Sequence, residues 1–544
     1  MKLASCLVAT LIFFNACTST HTVDLLIHNA KIYTADSSFS TTEAVAIKEG
    51  KIIATGSSKD LLAKYKSKET VDAGGLFVYP GFIDAHAHFY RYGLGLQTAD
   101  LTGTSSWQAI IDTLQSFATT HTDGWLIGRG WDQNDWAIKE FPSNELLNKL
   151  FPNRPVLLTR VDGHAAIANN KALALAGIKP GDKMVCGTFE TSNNQLTGLL
   201  VDNAVDKVAA QIPLPTAAQM KTALLDAQAN CFAMGLTTVD DCGLDFNEVL
   251  FIDSLQKTGA LKMRLFGMLS DSKKNYDFAL RNGKIKTPFL NVSSFKVYAD
   301  GALGSRGASL LQDYTDKPGW KGFLLSNPQH FDSVAAWLYK NNFQMCTHAI
   351  GDSGNRTILN IYAKYLQTKN NRRWRIEHAQ VVNENDFTLF GQYSIIPSVQ
   401  PTHATSDMYW AAQRLGTNRE KGAYAFNDLL QQNGWIPLGT DFPVEDISPF
   451  KTFYAAVFRI DAKGYPNGGY QPKNALSRQQ ALKGMTIWAA KSNFEETEKG
   501  SIEACKWADL ILLDTDLMTA PPAQVLKAQV QKTWVGGQQV YSKF

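Results

Sequence analysis

Cysteine is scarce in this chain, with seven residues among 544 and no Cys-x-x-Cys pair. Disulfide-stapled domains and zinc–thiolate sites both depend on clustered cysteines, so the sequence argues against both. We interpret most of the seven as small, buried apolar residues.

Charge of either sign is also sparse. Charged residues make up 19% of the chain and hydrophobic residues 44%, and the formal net charge is +3. No long basic run is present, so we expect no nucleic-acid partner. The composition is that of a globular protein, and the length allows a large buried core.

Long hydrophobic runs are missing except at the N-terminus, where residues 3–14 follow Lys2. That run is too short for an ordinary membrane span and suits the core of a signal peptide. A small residue before Cys17 and a polar stretch after it resemble a bacterial lipoprotein signal over residues 1–17, although Phe14 stands where Leu is usual. We expect an exported chain, lipid-anchored through Cys17 to the periplasmic side of a membrane or to the outer membrane. The alternative is a plain secretory signal cleaved nearby.

Strand-like segments occur at both ends of the remaining chain. DLLIHNAKIYTAD and EAVAIKEGKIIATG near the start, and ADLILLDTD and VQKTWVGGQQVYS near the end, alternate apolar and polar residues between turn residues. The pattern predicts one β-sandwich built from residues 23–80 and 498–544.

Short apolar runs alternate with helical periodicity in the middle of the chain, which predicts an α/β fold. We count eight candidate strands: FIDAHAHF, LTTVDD, MRLFGML, FKVYAD, FQMCTH, WRIEHA, IIPSVQPTH and WIPLGTD. Eight such units predict a (β/α)8 TIM barrel, from residues 81–95 and 216–497. The connection over residues 96–215, about 120 residues, is too long for a loop and predicts an inserted α/β subdomain over the active site.

Polar side chains recur where the predicted barrel strands end. His86 and His88 alternate in FIDAHAHF, so both would point to one face of their strand. Other runs carry Lys296, His348, His378 and Asp441. Because barrel active sites form at the carboxyl ends of the strands, we expect these side chains to meet. Imidazoles and carboxylates suit zinc and similar ions.

Lys296 is the unusual member, because an ammonium group cannot bind a metal ion. Its amine could do so after carboxylation by carbon dioxide, which gives an anionic carbamate. The alternative is a buried ion pair with Asp300 or another neighbour.

The whole pattern resembles the binuclear amidohydrolases, and more narrowly the amidohydrolase 3 (YtcJ-like) group. The stretches that carry the resemblance are PGFIDAHAH, GRGWDQ, RVDGHAAIANNKAL, FKVYADGALGSRGA, THAIGD, RIEHAQ, QPTHATSD and GTDFPV. The resemblance implies two divalent metal ions, with Zn2+ expected. The implied ligands are His86, His88 and Asp441 for the more buried ion, His348 and His378 for the more exposed ion, and carboxylated Lys296 as the bridge between them.

The resemblance also implies a mechanism, in which a metal-bridging hydroxide attacks a carbonyl carbon and Asp441 acts as general acid and base. His403 could hydrogen-bond the carbonyl oxygen. Trp131 could form an apolar wall, His164 could cap the pocket, and Arg306 could bind an anionic substrate group. The alternatives are a structural role for His403, a packed side chain for Trp131 and simple loop geometry around Arg306.

The leading functional hypothesis is hydrolysis of a non-peptide C–N bond, in an amide such as an N-acyl or N-formyl amine. Ester or phosphoester hydrolysis at the same site is an alternative. A mononuclear deaminase is a weaker alternative, because Lys296 would have no evident role in it. An inactive lipid-anchored binding protein is a further alternative, against which the complete ligand set argues. We expect a small-molecule substrate; the oligomeric state stays open, with a homodimer as one option.

Overall fold

The computed structural model describes residues 21–133, 136–160, 165–184 and 187–543. The chain divides into two compact units, Met1–His88 with Asn230–Phe544, and Phe89–Ala229. The expected signal segment with Cys17 lies outside the described residues, as does His164. In the described part of the chain, no helix combines the length and the apolar character needed to cross a bilayer.

A parallel sheet of seven strands forms the centre of the first unit. In chain order, which is also their order in the sheet, these are β1 (Phe82–Ala87), β2 (Leu236–Leu244), β3 (Arg264–Ser270), β4 (Leu290–Tyr298), β5 (Gln344–Ala349), β6 (Arg375–His378) and β7 (Ile396–Ser398). Almost every residue of these strands is buried, as expected for a parallel sheet covered on both faces.

The predicted eighth strand, WIPLGTD, is not a regular strand, and this part of the prediction was wrong. The segment closes the ring instead through separate contacts. Leu438 forms an isolated parallel bridge to the residue after β7, and its carbonyl accepts from the Ala85 N–H at 3.1 Å. The Asp441 N–H donates to the His86 carbonyl at 2.7 Å. A Cβ on Gly439 would lie 2.5 Å from the backbone nitrogen of His86, so glycine permits this close approach of the two segments.

Helices cover the outside of the barrel, in agreement with the helical periodicity between the predicted strands. Asn327 caps one of them by accepting from the His330 N–H, and Gly434 ends another in the left-handed conformation. The helices of this unit are Phe246–Lys257, Lys273–Asn282, Pro328–Lys340, Asp352–Leu366, Phe387–Gln392, Pro401–Asp407, Ala411–Arg419, Phe426–Asn433, Pro449–Phe458, Arg478–Gly484, Ile487–Ser492 and Pro522–Val525; Ser58–Lys64 lies in the N-terminal segment, and Ala217–Ala233 crosses the unit boundary.

Both ends of the chain build a two-sheet β-sandwich. One sheet contains Lys51–Gly56, Ala44–Lys48, His21–His28 and Tyr65–Asp72; the other contains Gln538–Ser542, Val530–Val535, Leu510–Leu513, Phe77–Pro80, Lys31–Tyr33 and Thr41–Thr42. Leu510–Leu513 pairs antiparallel with Phe77–Pro80, so the two termini share a sheet. Ile27 and Val45 from the first sheet pack in one core with Val78 and Trp534 from the second.

The inserted unit, Phe89–Ala229, has its own mixed sheet. Its strands are Gly187–Ser192, Gln195–Asp202, Ala165–Ala168, Val156–Arg160, Leu126–Trp131 and Ala99–Asp100, and its helices include Phe89–Gly95, Trp107–Thr120, Glu145–Leu150, Asn170–Leu175 and Asn203–Ala209. Leu157 and Leu158 point into two different apolar cores, because successive strand residues face opposite sides. The predicted fold class is confirmed: a TIM-type (β/α)8 barrel with seven regular strands and an irregular eighth segment, a β-sandwich from both termini and an inserted α/β subdomain.

Candidate metal centre

Asp441 lies between two groups of histidines. Its Oδ1 is 3.5 Å from His86 Nε2 and 3.3 Å from His88 Nε2. Its Oδ2 is 3.2 Å from His403 Nε2. Ligand atoms of His86, His88 and Asp441 lie within 4.8 Å of one another, and so do those of His378, His403 and Asp441. Either group could hold an ion, and Asp441 belongs to both.

Lys296 and His348 stand next to these groups. Lys296 Nζ is 3.2 Å from His86 Nε2, and the ring centroids of His348 and His378 are 4.5 Å apart. The Asp300 carboxylate instead accepts backbone N–H groups of Ser309, Ile350 and Gly351. The structure therefore places Lys296 with the predicted ligands rather than in an ion pair with Asp300.

Several buried polar atoms of this cluster have no hydrogen-bond partner within the described part of the chain. They are His88 Nδ1, His348 Nε2, His378 Nδ1 and Asp441 Oδ1. An unpaired buried polar group costs about 1–3 kcal/mol, so binding of an ion by these atoms would remove a substantial penalty. A set of imidazole nitrogens and a carboxylate also matches the ligands of zinc and similar ions. The residues present fit a divalent metal.

The electrostatics suit metal binding. Burial, helped by the Lys296 charge, lowers the pKa of His86 to about 4 and that of His348 to about 3. Burial likewise holds the pKa of His378 well below its usual range. A neutral imidazole is the form that coordinates a metal. Burial raises the pKa of Asp441, but the hydrogen bond from His403 and the close contacts with other histidines outweigh it and hold that pKa well below its usual range, so the carboxylate is ionised.

Two of the candidate ligands have a positive φ angle, a rare conformation outside glycine. The φ of His378 is 72° and that of Asp441 is 66°. Such backbone costs of order 1–3 kcal/mol per residue and occurs preferentially at functional sites, where the surrounding structure enforces it. The strain places both side chains at the mouth of the barrel.

His403 differs from its predicted position. The sequence predicts that it ends the seventh strand, but β7 ends at Ser398 and His403 lies in the helix Pro401–Asp407. Its Nδ1 is 3.3 Å from Glu445 Oε1, so a carboxylate faces each ring nitrogen. Burial lowers the pKa of His403, but the bonds to Asp441 and Glu445 outweigh it and raise that pKa to about 10. The ring is therefore a cation and a donor.

Sequence reasoning missed two charged residues on β6, Arg375 and Glu377. Both are completely buried, and Glu377 Oε2 lies 2.6 Å from His86 Nδ1. Burial raises the pKa of Glu377, but the charge of Arg375 outweighs it and holds that pKa well below its usual range. A signal was available, because WRIEHA places two opposite charges inside an otherwise apolar strand, where charges need partners.

Tyr298 was also missed. It is the exposed residue of β4, with 37% of its surface accessible. Its ring centroid is 5.0 Å from Lys296 Nζ and 5.4 Å from the His348 ring. An aromatic side chain that is open to solvent beside the candidate ligands offers a substrate a contact surface.

The remaining candidates have other partners in the structure. Trp131 has no exposed surface, donates from Nε1 to the Leu158 carbonyl at 2.9 Å, and belongs to a core of the inserted unit; this favours the packed interpretation. Arg306 binds both carboxylate oxygens of Asp316, at 3.1 and 2.8 Å, which leaves its guanidinium already paired.

Known proteins resemble this chain over most of its length. The family model described as "Amidohydrolase family" matches residues 69–541. Protein LONG AFTER FAR-RED 3 of Arabidopsis thaliana is 33% identical, over 95% of this chain and 91% of the relative. The putative amidohydrolase YtcJ of Bacillus subtilis is 29% identical, over 95% and 99% respectively. The N-substituted formamide deformylase of Arthrobacter pascens is 24% identical, over 94% and 97%.

A solved structure shares the architecture. An uncharacterized metal-dependent hydrolase from Pyrococcus horikoshii is 26% identical, covers 92% of this chain and 99% of its own, and has a TM-score of 0.79. The expected resemblance is thereby confirmed, and the chain belongs to the amidohydrolase family, as a metal-dependent hydrolase.

Proposed function

We propose that this protein hydrolyses a non-peptide C–N bond, in an N-acyl or N-formyl amine. The observation that carries the proposal is the position of Asp441, whose carboxylate lies between His86 and His88 on one side and cationic His403 on the other. The relative from Arthrobacter pascens, aligned over 94% of this chain, is named an N-substituted formamide deformylase, which supports amide chemistry and a formyl group.

The proposal includes two divalent ions, with zinc expected. Their ligands would be His86, His88 and Asp441 for the first, His348 and His378 for the second, and carboxylated Lys296 between them. When bound, such ions lower the pKa of a water molecule and polarise a carbonyl oxygen. The unpartnered buried atoms of this cluster support that assignment.

The protein's own residues would handle the proton and the developing charge. Asp441 accepts the proton of the attacking water and passes it to the leaving nitrogen. Once Asp441 is protonated, its bond to His403 Nε2 weakens, and the imidazolium can donate to the substrate oxygen as negative charge grows there. Tyr298 borders the space in which the substrate would lie.

The test is turnover by the zinc-loaded chain without residues 1–17. The panel contains an N-formyl amine, the N-acetyl amine, and the ester and phosphodiester of similar size. We expect amide cleavage with equal release of acid and amine, and a fall in kcat of about 10²–10⁴-fold in Asp441→Asn. Cleavage of the ester or phosphodiester alone would move the assignment to those bonds. Full metal content without any turnover would favour a binding protein.

We also propose that the protein is exported and lipid-anchored at Cys17. The support is the charged Lys2, the short apolar run of residues 3–14 and the small residue before Cys17. Metabolic labelling with an alkyne fatty acid should mark the wild type and not Cys17→Ala. Equal labelling of both proteins would contradict the anchor.

A further inference from the structure

We propose that Glu377, held by Arg375, is a positioning residue that sets the tautomer and orientation of His86 and so tunes metal affinity. The inference rests on the metal centre of a metal-dependent hydrolase and is independent of which bond is cleaved. It concerns three side chains, His86, Arg375 and Glu377, that are each completely buried.

The contact between Glu377 and His86 determines which imidazole nitrogen carries the proton. Glu377 Oε2 lies 2.6 Å from His86 Nδ1, and an ionised carboxylate can only accept, so Nδ1 donates. Nε2 is then the unprotonated nitrogen. It faces the other candidate ligands, 3.5 Å from Asp441 Oδ1. A carboxylate behind a ligating histidine fixes the ring and raises its basicity as a ligand.

Glu377 itself is poorly placed to be the ligand. Together with Cys242 and His86 it forms a compact group that could hold an ion. However, its carboxylate is already neutralised: Oε1 is 2.7 Å from Arg375 Nε, an ion-pair contact without hydrogen-bond alignment, and Oε2 is 3.2 Å from Nη2. An ion bound there would have to displace the His86 proton and compete with a guanidinium.

Arg375 is anchored by groups from several barrel segments. Nη1 is 2.9 Å from Asp240 Oδ2 on β2 and 3.2 Å from Asn493 Oδ1. Nη2 donates to Ser398 Oγ at the end of β7, at 3.0 Å, and to the Ala85 carbonyl on β1. A guanidinium held by this many partners cannot follow a displaced carboxylate. Glu377 is therefore held in one place, and His86 with it.

The test measures metal affinity directly. The metal-free full chain is titrated with zinc in competition with a chromophoric chelator, and the absorption spectrum of the cobalt form reports ligand geometry. We expect Glu377→Gln to weaken binding by about 10–100-fold, because the neutral amide neither fixes the tautomer nor raises basicity. The cobalt spectrum should change as well.

Asp509→Asn is the matched control. Asp509 is also a buried carboxylate paired with a buried guanidinium, since it accepts from Arg264 Nε at 2.7 Å and Nη2 at 2.9 Å, but its other side-chain contact is the Gly536 N–H rather than a candidate ligand. We expect its zinc affinity to stay close to that of the wild type. The melting temperature of the metal-free proteins separates loss of folding from loss of affinity. Metal-free Glu377→Gln should melt near the temperature of the wild type, and zinc should raise its melting temperature less.

Two results would overturn the proposal. One is a zinc affinity of Glu377→Gln equal to that of the wild type. The other is an equal loss in Asp509→Asn, which would indicate a general effect of removing a buried carboxylate. If Glu377→Gln does not fold, Arg375→Lys takes its place, because lysine keeps the charge but loses the forked contact. An unchanged affinity and cobalt spectrum in Arg375→Lys would also overturn the proposal.

Discussion

His86 and His378 both line the metal centre, but different forces hold them. His86 has no exposed surface, and its Nδ1 has a partner in Glu377. His378 ends β6 with a positive φ, and its Nδ1 has no hydrogen-bond partner within the described residues. His86, on the inner side of the centre, is thus held by buried charge, and His378, on the outer side, by its backbone geometry.

This difference separates two kinds of preorganisation. Buried charges keep the inner histidine in one orientation whether or not an ion is bound. On the outer side, His348 Nε2 and His378 Nδ1 have no hydrogen-bond partner within the described residues, so an ion would complete the environment of both rings. We expect the inner position to fill first, and Asp441 to link the two.

The largest effect should follow loss of Asp441, the residue shared by both sides. Asp441→Ala removes a ligand atom and the proton carrier together. Metal content should fall below about two ions per chain, and kcat should fall by at least the roughly 10²–10⁴-fold that general acid–base catalysis contributes. Elemental analysis and turnover of the same sample measure both. Asp316→Asn, which alters a carboxylate paired with Arg306, is the control and should retain metal and activity.

The next effect concerns Lys296, the proposed bridge between the two ions. Lys296→Ala should reduce metal content from about two ions per chain to about one or less, because the proposed anionic carbamate could no longer form. Lys296→Glu restores a carboxylate and should recover part of the content. One ion or none in a folded wild type, unchanged in Lys296→Ala, would contradict the carbamate bridge.

Stepwise metal removal tests the order of filling. A chelator should strip the outer ion first, and the melting temperature should fall in two stages, since a ligand present at 100 times its Kd stabilises by about 2.7 kcal/mol. Calorimetry along the titration shows the stages. Loss of both ions in one step would mean that the two sides are not independently organised.

The smallest effect should come from Tyr298, which borders the centre without binding metal. Tyr298→Ala should raise KM by about two- to tenfold, since an aromatic contact contributes about 0.5–1.5 kcal/mol, and should leave metal content unchanged. Tyr339 has the same exposure, 37%, but lies on the helix Pro328–Lys340, so Tyr339→Ala is the matched control. Equal KM values in both variants would exclude a substrate contact at Tyr298.

The alternation of apolar runs and helical periodicity in the sequence predicted the regular strands of the barrel, but it failed for segments that are not regular strands. WIPLGTD has the apolar composition of a strand, yet its contacts with β1 are set by the close crossing at Gly439, which periodicity does not encode. His403 is similar, because QPTHATSD begins a helix at Pro401 instead of extending β7.

Side-chain partners were predictable only where residue type and position along a strand sufficed. The alternation of His86 and His88 and the strand-end positions of His348 and His378 follow from strand geometry and barrel topology. The pairing of His86 with Glu377 joins residues 291 positions apart, and Tyr298 differs from its neighbours only in exposure. Burial and long-range contact are properties of the folded chain.

The sequence by itself determined the class of this protein: the alternating units specify an α/β barrel, and the chemistry of the polar residues at their ends specifies a metal-dependent hydrolase. Only the tertiary structure decided that Glu377 and Arg375 support His86, that His403 is a cation between two carboxylates, and that Trp131 is packed inside a core. The physical reason is that periodicity reports which face a residue occupies, while hydrogen bonds, ion pairs and exposure depend on which distant segments meet that face.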